Sequence, residues 1–151
     1  MRIRTMLLAA LAVASLAACH SKKADTTGGT AGGGKLYDRL GGMDGITAVV
    51  KDFVEVEVGG DDRIKAFFAN ADGPGLEKKL VDQICEASGG PCKYTGKDMK
   101  TAHAGMGIAE KDFNALVEDL TKALDKFKVK DADKQTLLGV LGPMKPDIVT
   151  K

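Results

Sequence analysis

The side chain best suited to chemistry in this sequence is His103, one of two histidines in the chain. Met99 stands one helical turn before it and Met106 three residues after it, so two polarisable thioethers share its surroundings. Ala102 and Ala104 flank the imidazole and leave room beside the ring. A histidine on such a platform can reach a metal ion or a flat apolar ligand. A lone histidine near an apolar helix face also occurs as an ordinary core or surface residue, so the residues alone leave both interpretations open.

A second candidate for chemistry is the pair Cys85 and Cys92, seven residues apart around a Gly-Gly-Pro turn. In an oxidising compartment two such cysteines can form a disulfide. Closing so short a loop contributes roughly 2–3 kcal/mol to stability on the chain-entropy model. The alternative is two free thiols, one of them buried on a helix. A zinc site is not supported, because no second cysteine pair or histidine cluster completes a tetrahedral ligand set.

The start of the chain has the composition of an export signal. Two arginines precede an apolar stretch that is too short to span a bilayer, and a small-residue site ending at Cys19 follows. This site resembles the cleavage site of bacterial lipoproteins, which predicts a signal peptide over residues 1–18 and lipidation of Cys19. The alternative is an ordinary secretory leader whose cysteine is incidental. Because His20, rather than aspartate, follows the cysteine, we expect anchoring in the outer membrane, facing the periplasm.

Residues 19–35 are rich in glycine, threonine and lysine and cannot bury apolar surface, so we expect a lipidated cysteine followed by a flexible linker. The globular domain is then predicted over residues 36–149. Removing the leader with its two arginines changes the formal charge from +1 to −1, with 20 basic residues against 21 acidic ones. Without a basic excess, binding to nucleic acid has no electrostatic support.

The globular part reads as a series of helices, because apolar residues recur at spacings of three and four and no convincing strand pattern appears. Its clearest helix runs from about residue 109 to 127, with a core face that ends at Phe127. Glycine and proline punctuate the remainder. The other predicted helical segments cover residues 36–40, 44–58, 61–68, 76–84, 98–103 and 131–148.

Five motifs occur in an order that resembles the group I truncated haemoglobins. They are Leu36-Tyr37-Asp38-Arg39-Leu40-Gly41-Gly42, Phe67-Phe68, Gly89-Gly90-Pro91, Tyr94-Thr95-Gly96 and Met99-x-x-x-His103-x-Gly105-x-Gly107-Ile108. The resemblance extends over residues 36–149. It implies an all-α truncated globin, a two-over-two helical sandwich around a non-covalent haem b. A covalent c-type attachment is excluded, since no Cys-x-x-Cys-His occurs.

The resemblance also assigns roles to residues around the haem. His103 matches the proximal ligand of the iron. Phe68 matches the phenylalanine that packs on the porphyrin, and Tyr94 and Thr95 fall near the propionates. Further residues are expected to line the haem: Phe53, Leu76, Lys79, Leu80, Met99 and Ile108.

The sequence departs from the family on the distal side. Many relatives place a tyrosine and a glutamine where both hydrogen-bond the bound gas, and the matching positions here are Val54 and Leu80. Leu76 stands one turn before Leu80, so an apolar distal wall is expected. Lys79 occupies a position where some relatives supply a sixth iron ligand. A lysine ligates iron only when neutral, and the alternative is a surface lysine that meets a propionate.

Three classes of function follow from these residues. The first is haem-based binding of oxygen, carbon monoxide or nitric oxide in the cell envelope, with a reductase or other electron donor still to be identified. The second is an enzyme that uses the same iron, either for nitric oxide detoxification or as a peroxidase, although peroxidases usually have a distal acid–base group. The third is a haem-free lipoprotein that uses the globin fold for interaction. The sequence favours gas binding over an enzyme.

Overall fold

The computed structural model describes residues 33–151, which form helices joined by short loops. No strand occurs within these residues, which confirms the all-α fold. None of the helices in this range is long and apolar enough to cross a membrane. The predicted signal peptide, Cys19 and most of the linker lie outside the described residues. The α-helices are α1 (Leu36–Arg39), α2 (Gly42–Asp52), α3 (Gly73–Ala87), α4 (Met99–Ala102), α5 (Glu110–Lys126), α6 (Asp131–Leu141) and α7 (Lys145–Ile148).

The first two helices meet at a tight corner that depends on glycine. Gly41 has a φ of +88°, a left-handed conformation that side chains with a Cβ rarely adopt. Gly45 lies so close to α1 that a Cβ on it would stand 2.2 Å from the carbonyl oxygen of Leu40. The corner therefore brings the backbones of α1 and α2 closer together than any larger residue would permit.

The helix predicted over residues 44–58 changes its winding part of the way along. α2 ends at Asp52, and residues Phe53–Val58 continue as a π-helix, whose hydrogen bonds join residues five apart. Phe53 and Val58 are five apart and both buried, whereas Val56 between them is 52 % exposed. The wider turn therefore places both ends of the segment on the core side. Hydrophobic spacing in the sequence did not distinguish this π-helix from a regular α-helix.

The segment predicted as a helix over residues 61–68 is helical only in its second half. A 3₁₀-helix covers Lys65–Phe68. Before it, the carboxylate of Asp61 accepts the backbone N–H of Arg63 at 2.8 Å, which holds a turn instead of a helix. The Arg63 guanidinium also pairs with Asp61 at 2.7 Å and with Glu118 of α5 at 2.7 Å. This network fastens the loop to α5.

The core lies between two helix pairs. One pair is α2 with α3, and the other is α5 with α6. The π-helix that continues α2 packs against α5, and α6 contacts both α1 and α3. This is the two-over-two sandwich. The α5 core face predicted from the sequence is wrong at its end, because Phe127 caps the helix and is 42 % exposed. The chain turns away there, and Lys128 adopts a φ of +58°. The largest side chains that are almost completely buried are Ile46, Ile64, Leu124, Leu137, Val50 and Val58.

Candidate functional site

His103 is positioned by α4, a helix of only four residues. Asp98 is its N-cap, and the Asp98 carboxylate accepts the backbone N–H of Thr101 at 2.9 Å. The side chain of Thr101, followed by its backbone N–H, holds the pKa of Asp98 below its usual value. At the other end His103 is the C-cap, and its backbone N–H donates to the Met99 carbonyl at 3.1 Å. His103 therefore sits at the point where α4 gives way to a loop.

The imidazole of His103 is half-buried and has one defined hydrogen bond. Its Nδ1 lies 2.7 Å from the carbonyl oxygen of Met99. A carbonyl oxygen only accepts, so Nδ1 must carry the hydrogen, and the lone pair of the neutral ring is left on Nε2. This is the arrangement that orients a histidine as a metal ligand: one nitrogen is fixed by a backbone carbonyl and the other is available to the metal.

The loop that follows His103 is fastened by the end of the chain. Gly105 and Gly107 have φ values of +77° and +65° and let the backbone reverse. The carbonyl of Ile108 then accepts two backbone N–H groups, from Thr150 at 2.9 Å and from Lys151 at 3.2 Å. α7 also contacts α4. The C-terminal residues thus hold both α4 and the loop that follows His103 in place.

The segment before α4 is joined to the end of α3 by a disulfide. The bond links Cys85, which is completely buried, to Cys92, and the two Cα atoms are 5.7 Å apart. Next to the disulfide, the Glu86 carboxylate accepts the backbone N–H of Tyr94 at 2.9 Å and pairs with the Lys93 ammonium at 2.9 Å. The Tyr94 N–H, followed by Lys93, holds the pKa of Glu86 below its usual value. The loop between α3 and α4 is therefore tied at several points.

Tyr94 lies in this loop and faces inward. Its hydroxyl donates to the carbonyl of Lys97 at 2.7 Å, one residue before the cap of α4. Burial, with a smaller contribution from the carboxylate of Asp98, raises the pKa of Tyr94 above its usual value. The phenol is therefore neutral at physiological pH, and its hydrogen bond to Lys97 holds the backbone immediately before α4.

An open pocket with a volume of about 440 Å³ lies between α3, this loop, α4 and the end of α6. Its volume is in the range of pockets that hold organic ligands. Gln83 enters the cavity from α3, and its amide nitrogen lies 3.5 Å from the Met99 sulfur and 3.3 Å from the Met144 sulfur. Thioethers are weak acceptors, so this amide retains hydrogen-bonding capacity. The lining residues are Gln83, Glu86, Ala87, Tyr94, Asp98, Met99, Val140 and Met144.

The residues expected around the haem occupy three kinds of position. Phe53 belongs to the core at 5 % exposure, and Val54, Phe68 and Leu80 are half-buried against it. Ile108 is 8 % exposed, and Leu76, Tyr94 and Met99 are half-buried. Lys79 and Thr95 are exposed. Met99 and Tyr94 are the two expected residues that line the cavity.

Sequence reasoning missed two residues that contact Met99 or its neighbourhood. Gln83 is a polar position on the inner side of α3, one turn after the predicted Leu80, and that spacing was the available signal. Met144 follows a proline in the 3₁₀-helix Gly142–Met144, where periodicity is lost. Its approach to Gln83 joins residues 61 positions apart, which no local pattern indicates.

These features fit a haem. One nitrogen, Nε2 of His103, is left available at the end of α4, and Met99 of the same helix lines a pocket whose walls contain thioether, methyl and aromatic groups. A haem would need one such nitrogen donor for its iron and such apolar walls for its macrocycle. Among the described residues no group of three or more histidine, cysteine or acidic side chains could hold a metal ion by itself.

Comparisons with known proteins agree with this geometry. A family model of bacterial-like globins matches residues 35–150. A group 1 truncated haemoglobin of Mycolicibacterium paratuberculosis is 35 % identical over 115 residues, covering 76 % of this chain and 84 % of the relative. The crystal structure of the Fe(III) form of truncated haemoglobin from Tetrahymena pyriformis is 33 % identical with a TM-score of 0.74, covering 78 % of this chain and all of that one.

A further solved structure is the 2/2 haemoglobin of Synechococcus in the cyanomet state with covalently attached haem. It is 25 % identical to this chain with a TM-score of 0.72, and the alignment covers 78 % of this chain and all of that one. Fold, ordered motifs and similarity over nearly the whole described region lead to the same family. The chain belongs to the bacterial-like globins and, among them, to the group 1 truncated haemoglobins, a family whose cofactor is haem b.

Proposed function

We propose that this protein is a haem-based binder of diatomic gases, with His103 as the proximal ligand. The observation that carries the proposal is the bond between His103 Nδ1 and the Met99 carbonyl, at 2.7 Å, which leaves Nε2 available to iron. When bound, haem b would supply an iron atom that can bind oxygen, carbon monoxide or nitric oxide. The Met99 carbonyl keeps the imidazole in one tautomer and one orientation, and a hydrogen bond of this kind raises the basicity of the ligating nitrogen.

The apolar groups provide the walls of the site in this proposal. Phe68 would pack on the porphyrin, and Phe53, Met99 and Ile108 would exclude water from it. Tyr94, Thr95 and the exposed ammonium of Lys79 would be available to the haem propionates. Excluding water strengthens the remaining electrostatic interactions inside the pocket.

The side facing the gas is apolar in this proposal, since Val54, Leu76 and Leu80 offer no hydrogen-bond donor. A missing neutral donor in a buried site removes about 1 kcal/mol of stabilisation from a polar ligand. At about 1.4 kcal/mol per decade, this approaches a tenfold weaker hold on oxygen. Carbon monoxide is less polar and loses less. We therefore propose reversible gas binding with fast oxygen release, and not tight oxygen storage.

An absorption spectrum tests the proposal. The chain from residue 20 onward is expressed with haem in excess, and the ferric, dithionite-reduced and carbon monoxide forms are compared for the wild type and His103→Ala. The wild type should show a Soret band that shifts under carbon monoxide, and the variant should lose or alter it. His20→Ala is the matched control, because it removes the other histidine of the chain, and its spectra should equal those of the wild type. A wild-type chain that takes up no haem refutes the proposal and favours the third class of function, a haem-free globin fold used for interaction.

The same preparation separates binding from catalysis. If the loaded protein consumes nitric oxide in the presence of oxygen and a chemical reductant, over many turnovers, nitric oxide detoxification replaces gas binding as the function. The apolar groups proposed for the distal wall weigh against that outcome, because dioxygenation requires oxygen to be held stably. Either function needs a donor that returns ferric iron to the ferrous state.

We also propose that the globin is anchored in the cell envelope, on the outer membrane facing the periplasm, through a lipid on Cys19. Support comes from the sequence, in which a basic start, an apolar stretch and a small-residue site precede that cysteine. Metabolic labelling with a radioactive fatty acid should mark the wild-type chain and not Cys19→Ser. Labelling of both chains, or of neither, contradicts the lipid anchor.

A further inference from the structure

The helix that carries the proposed iron ligand is too short to be stable by itself. α4 contains four residues. An isolated helix of that length is unstable in water, because the free-energy cost of nucleation exceeds the stabilisation by its few hydrogen bonds. Its stability must come from its ends and its neighbours. α7 packs against it and its C-terminal end is His103 itself, so the N-terminal end is the place where a capping side chain can stabilise the turn before the histidine.

That N-terminal end depends on one side chain. The Asp98 carboxylate accepts the Thr101 N–H at 2.9 Å, while the Asp98 carbonyl accepts the Ala102 N–H at 2.8 Å. Asp98 is thereby bonded to two of the four residues of α4. An aspartate at an N-cap is among the strongest capping residues, and its negative charge also suits the positive end of a helix.

The capped turn leads directly to the imidazole. Met99 is the first residue of α4, and its carbonyl accepts both the backbone N–H of His103 at 3.1 Å and the ring Nδ1 at 2.7 Å. The direction of that carbonyl is set by the helical conformation of Met99, and Asp98 fixes where that conformation begins. A substitution at Asp98 therefore alters the orientation of the His103 imidazole through the Met99 carbonyl alone.

We propose that Asp98 is a positioning residue for the iron ligand: its carboxylate caps α4 and so fixes the Met99 carbonyl that orients the His103 imidazole. The inference rests on the proposed function, since it concerns the histidine of a haem site. Asp98 acts on the strength and uniformity of the bond between iron and histidine, and it does not touch the gas.

The test uses the full chain loaded with haem b and compares Asp98→Ala with Asp98→Asn. Alanine removes the capping acceptor, whereas asparagine keeps an acceptor and removes only the charge. The readout is the iron–histidine stretching band of the ferrous protein in resonance Raman spectra, together with the rate of haem transfer to an excess of apomyoglobin. Asp131→Ala is the matched control, because it removes an exposed first-turn carboxylate from α6, away from α4.

We expect Asp98→Ala to shift the band to lower frequency and broaden it, since the hydrogen bond to Nδ1 weakens and the ring orientations spread. Haem loss should become about fivefold faster, the change that a lost N-cap typically makes in a helix equilibrium. Asp98→Asn and Asp131→Ala should match the wild type in both measurements. Rescue by asparagine separates capping from charge.

Three results overturn the inference. The band and haem loss of Asp98→Ala equal those of the wild type, or Asp98→Asn is as impaired as Asp98→Ala, or Asp131→Ala is equally impaired. If Asp98→Ala does not fold, Asp98→Glu replaces it, because glutamate keeps the charge while its longer side chain is not among the residues that cap helices well, and equal bands for Asp98→Glu and Asp98→Asn then refute the inference. A wild-type chain without haem refutes the proposed function instead, and the two failures are thus distinguished.

Discussion

Leu80 decides how firmly a polar gas is held, if the distal wall is as apolar as proposed. It is half-buried on α3, between Leu76 and Gln83 on the same side of the helix. Leu80→Gln would replace methyl groups of the proposed distal wall by an amide donor. We expect oxygen to dissociate about tenfold more slowly, and carbon monoxide to change by less than about threefold, because only the more polar ligand gains a hydrogen bond. Flash photolysis and stopped-flow mixing measure both rates.

A matched control is available on another helix. Leu138→Gln changes a leucine of α6 that is likewise half-buried against the core, and both gas dissociation rates should remain those of the wild type. Equal oxygen rates in Leu80→Gln and the wild type would place Leu80 outside the distal wall.

At the scale of single residues, the sequence indicated His103 as the candidate ligand and Met99 as its neighbour. It did not indicate how they are joined, because the bond is between a side chain and a backbone carbonyl, and any residue at position 99 supplies that carbonyl. Gln83 and Met144 were missed for a different reason. Their contact depends on the path of the chain from α3 to α6, which local spacing does not encode.

The corner between α1 and α2 depends on Gly45. Gly45→Ala would place a Cβ 2.2 Å from the Leu40 carbonyl oxygen, so the two helices would have to separate. We expect the free energy of unfolding to fall by about 1–3 kcal/mol, the usual cost of inserting atoms into a close contact. Urea denaturation followed by circular dichroism measures the loss.

Gly139 provides the control for this prediction, since it is exposed on α6 and a Cβ there meets nothing within 4 Å. Gly139→Ala should raise stability by up to about 1 kcal/mol, because alanine is the better helix former. If both alanine variants gain stability, the close approach of α1 to Gly45 is not present in solution.

The disulfide stabilises the connection between α3 and α4. Replacing Cys85 and Cys92 together by alanine should lower the free energy of unfolding by about 2–3 kcal/mol, since the unfolded chain regains the freedom of the closed loop. The comparison is made by urea denaturation, with the wild type measured with and without a dithiol reductant. An unchanged midpoint in the double variant would show that the hydrogen bonds of Glu86 suffice to hold the loop.

At the scale of elements, helices with regular apolar spacing were predictable, as α3, α5 and α6 illustrate. The π-helix Phe53–Val58 was not, because its valines also fit a strand and its glutamates give no sign of a wider turn. The helix predicted over residues 61–68 is too long for a related reason. Asp61 uses its carboxylate on the backbone of Arg63, and this local bond competes with helix formation.

The acid stability of the whole molecule should depend on Arg63. Its guanidinium and backbone N–H hold the pKa of Asp61 at about 2, against an ordinary value of 3.8. A carboxyl group whose pKa is lower in the folded state stabilises the fold above its unfolded pKa, and that contribution is lost as the pH falls toward 2. The pKa of Glu86, Asp98 and Glu110 is lowered too, so these groups act in the same direction.

Arg63→Gln should therefore reduce stability at neutral pH and flatten its decline between about pH 4 and pH 2. Thermal unfolding of the haem-loaded protein, followed over that range, measures the slope. Lys111→Gln removes an exposed cation of α5 and should leave the slope unchanged. A variant that declines as steeply as the wild type would mean that the loop at Asp61 is not held by Arg63 in solution.

The two sulfurs of the disulfide differ in access, and this gives thiol exchange a direction. Cys85 is completely buried, so an incoming thiolate can reach only Cys92, which is half-buried. Attack there must expel the Cys85 sulfur as a thiolate into an apolar interior, where an unpaired charge is strongly disfavoured and the leaving group is poor. As long as α3 remains packed, the bond is protected by its own location. Loss of the disulfide would therefore follow unfolding of the globin and would not precede it.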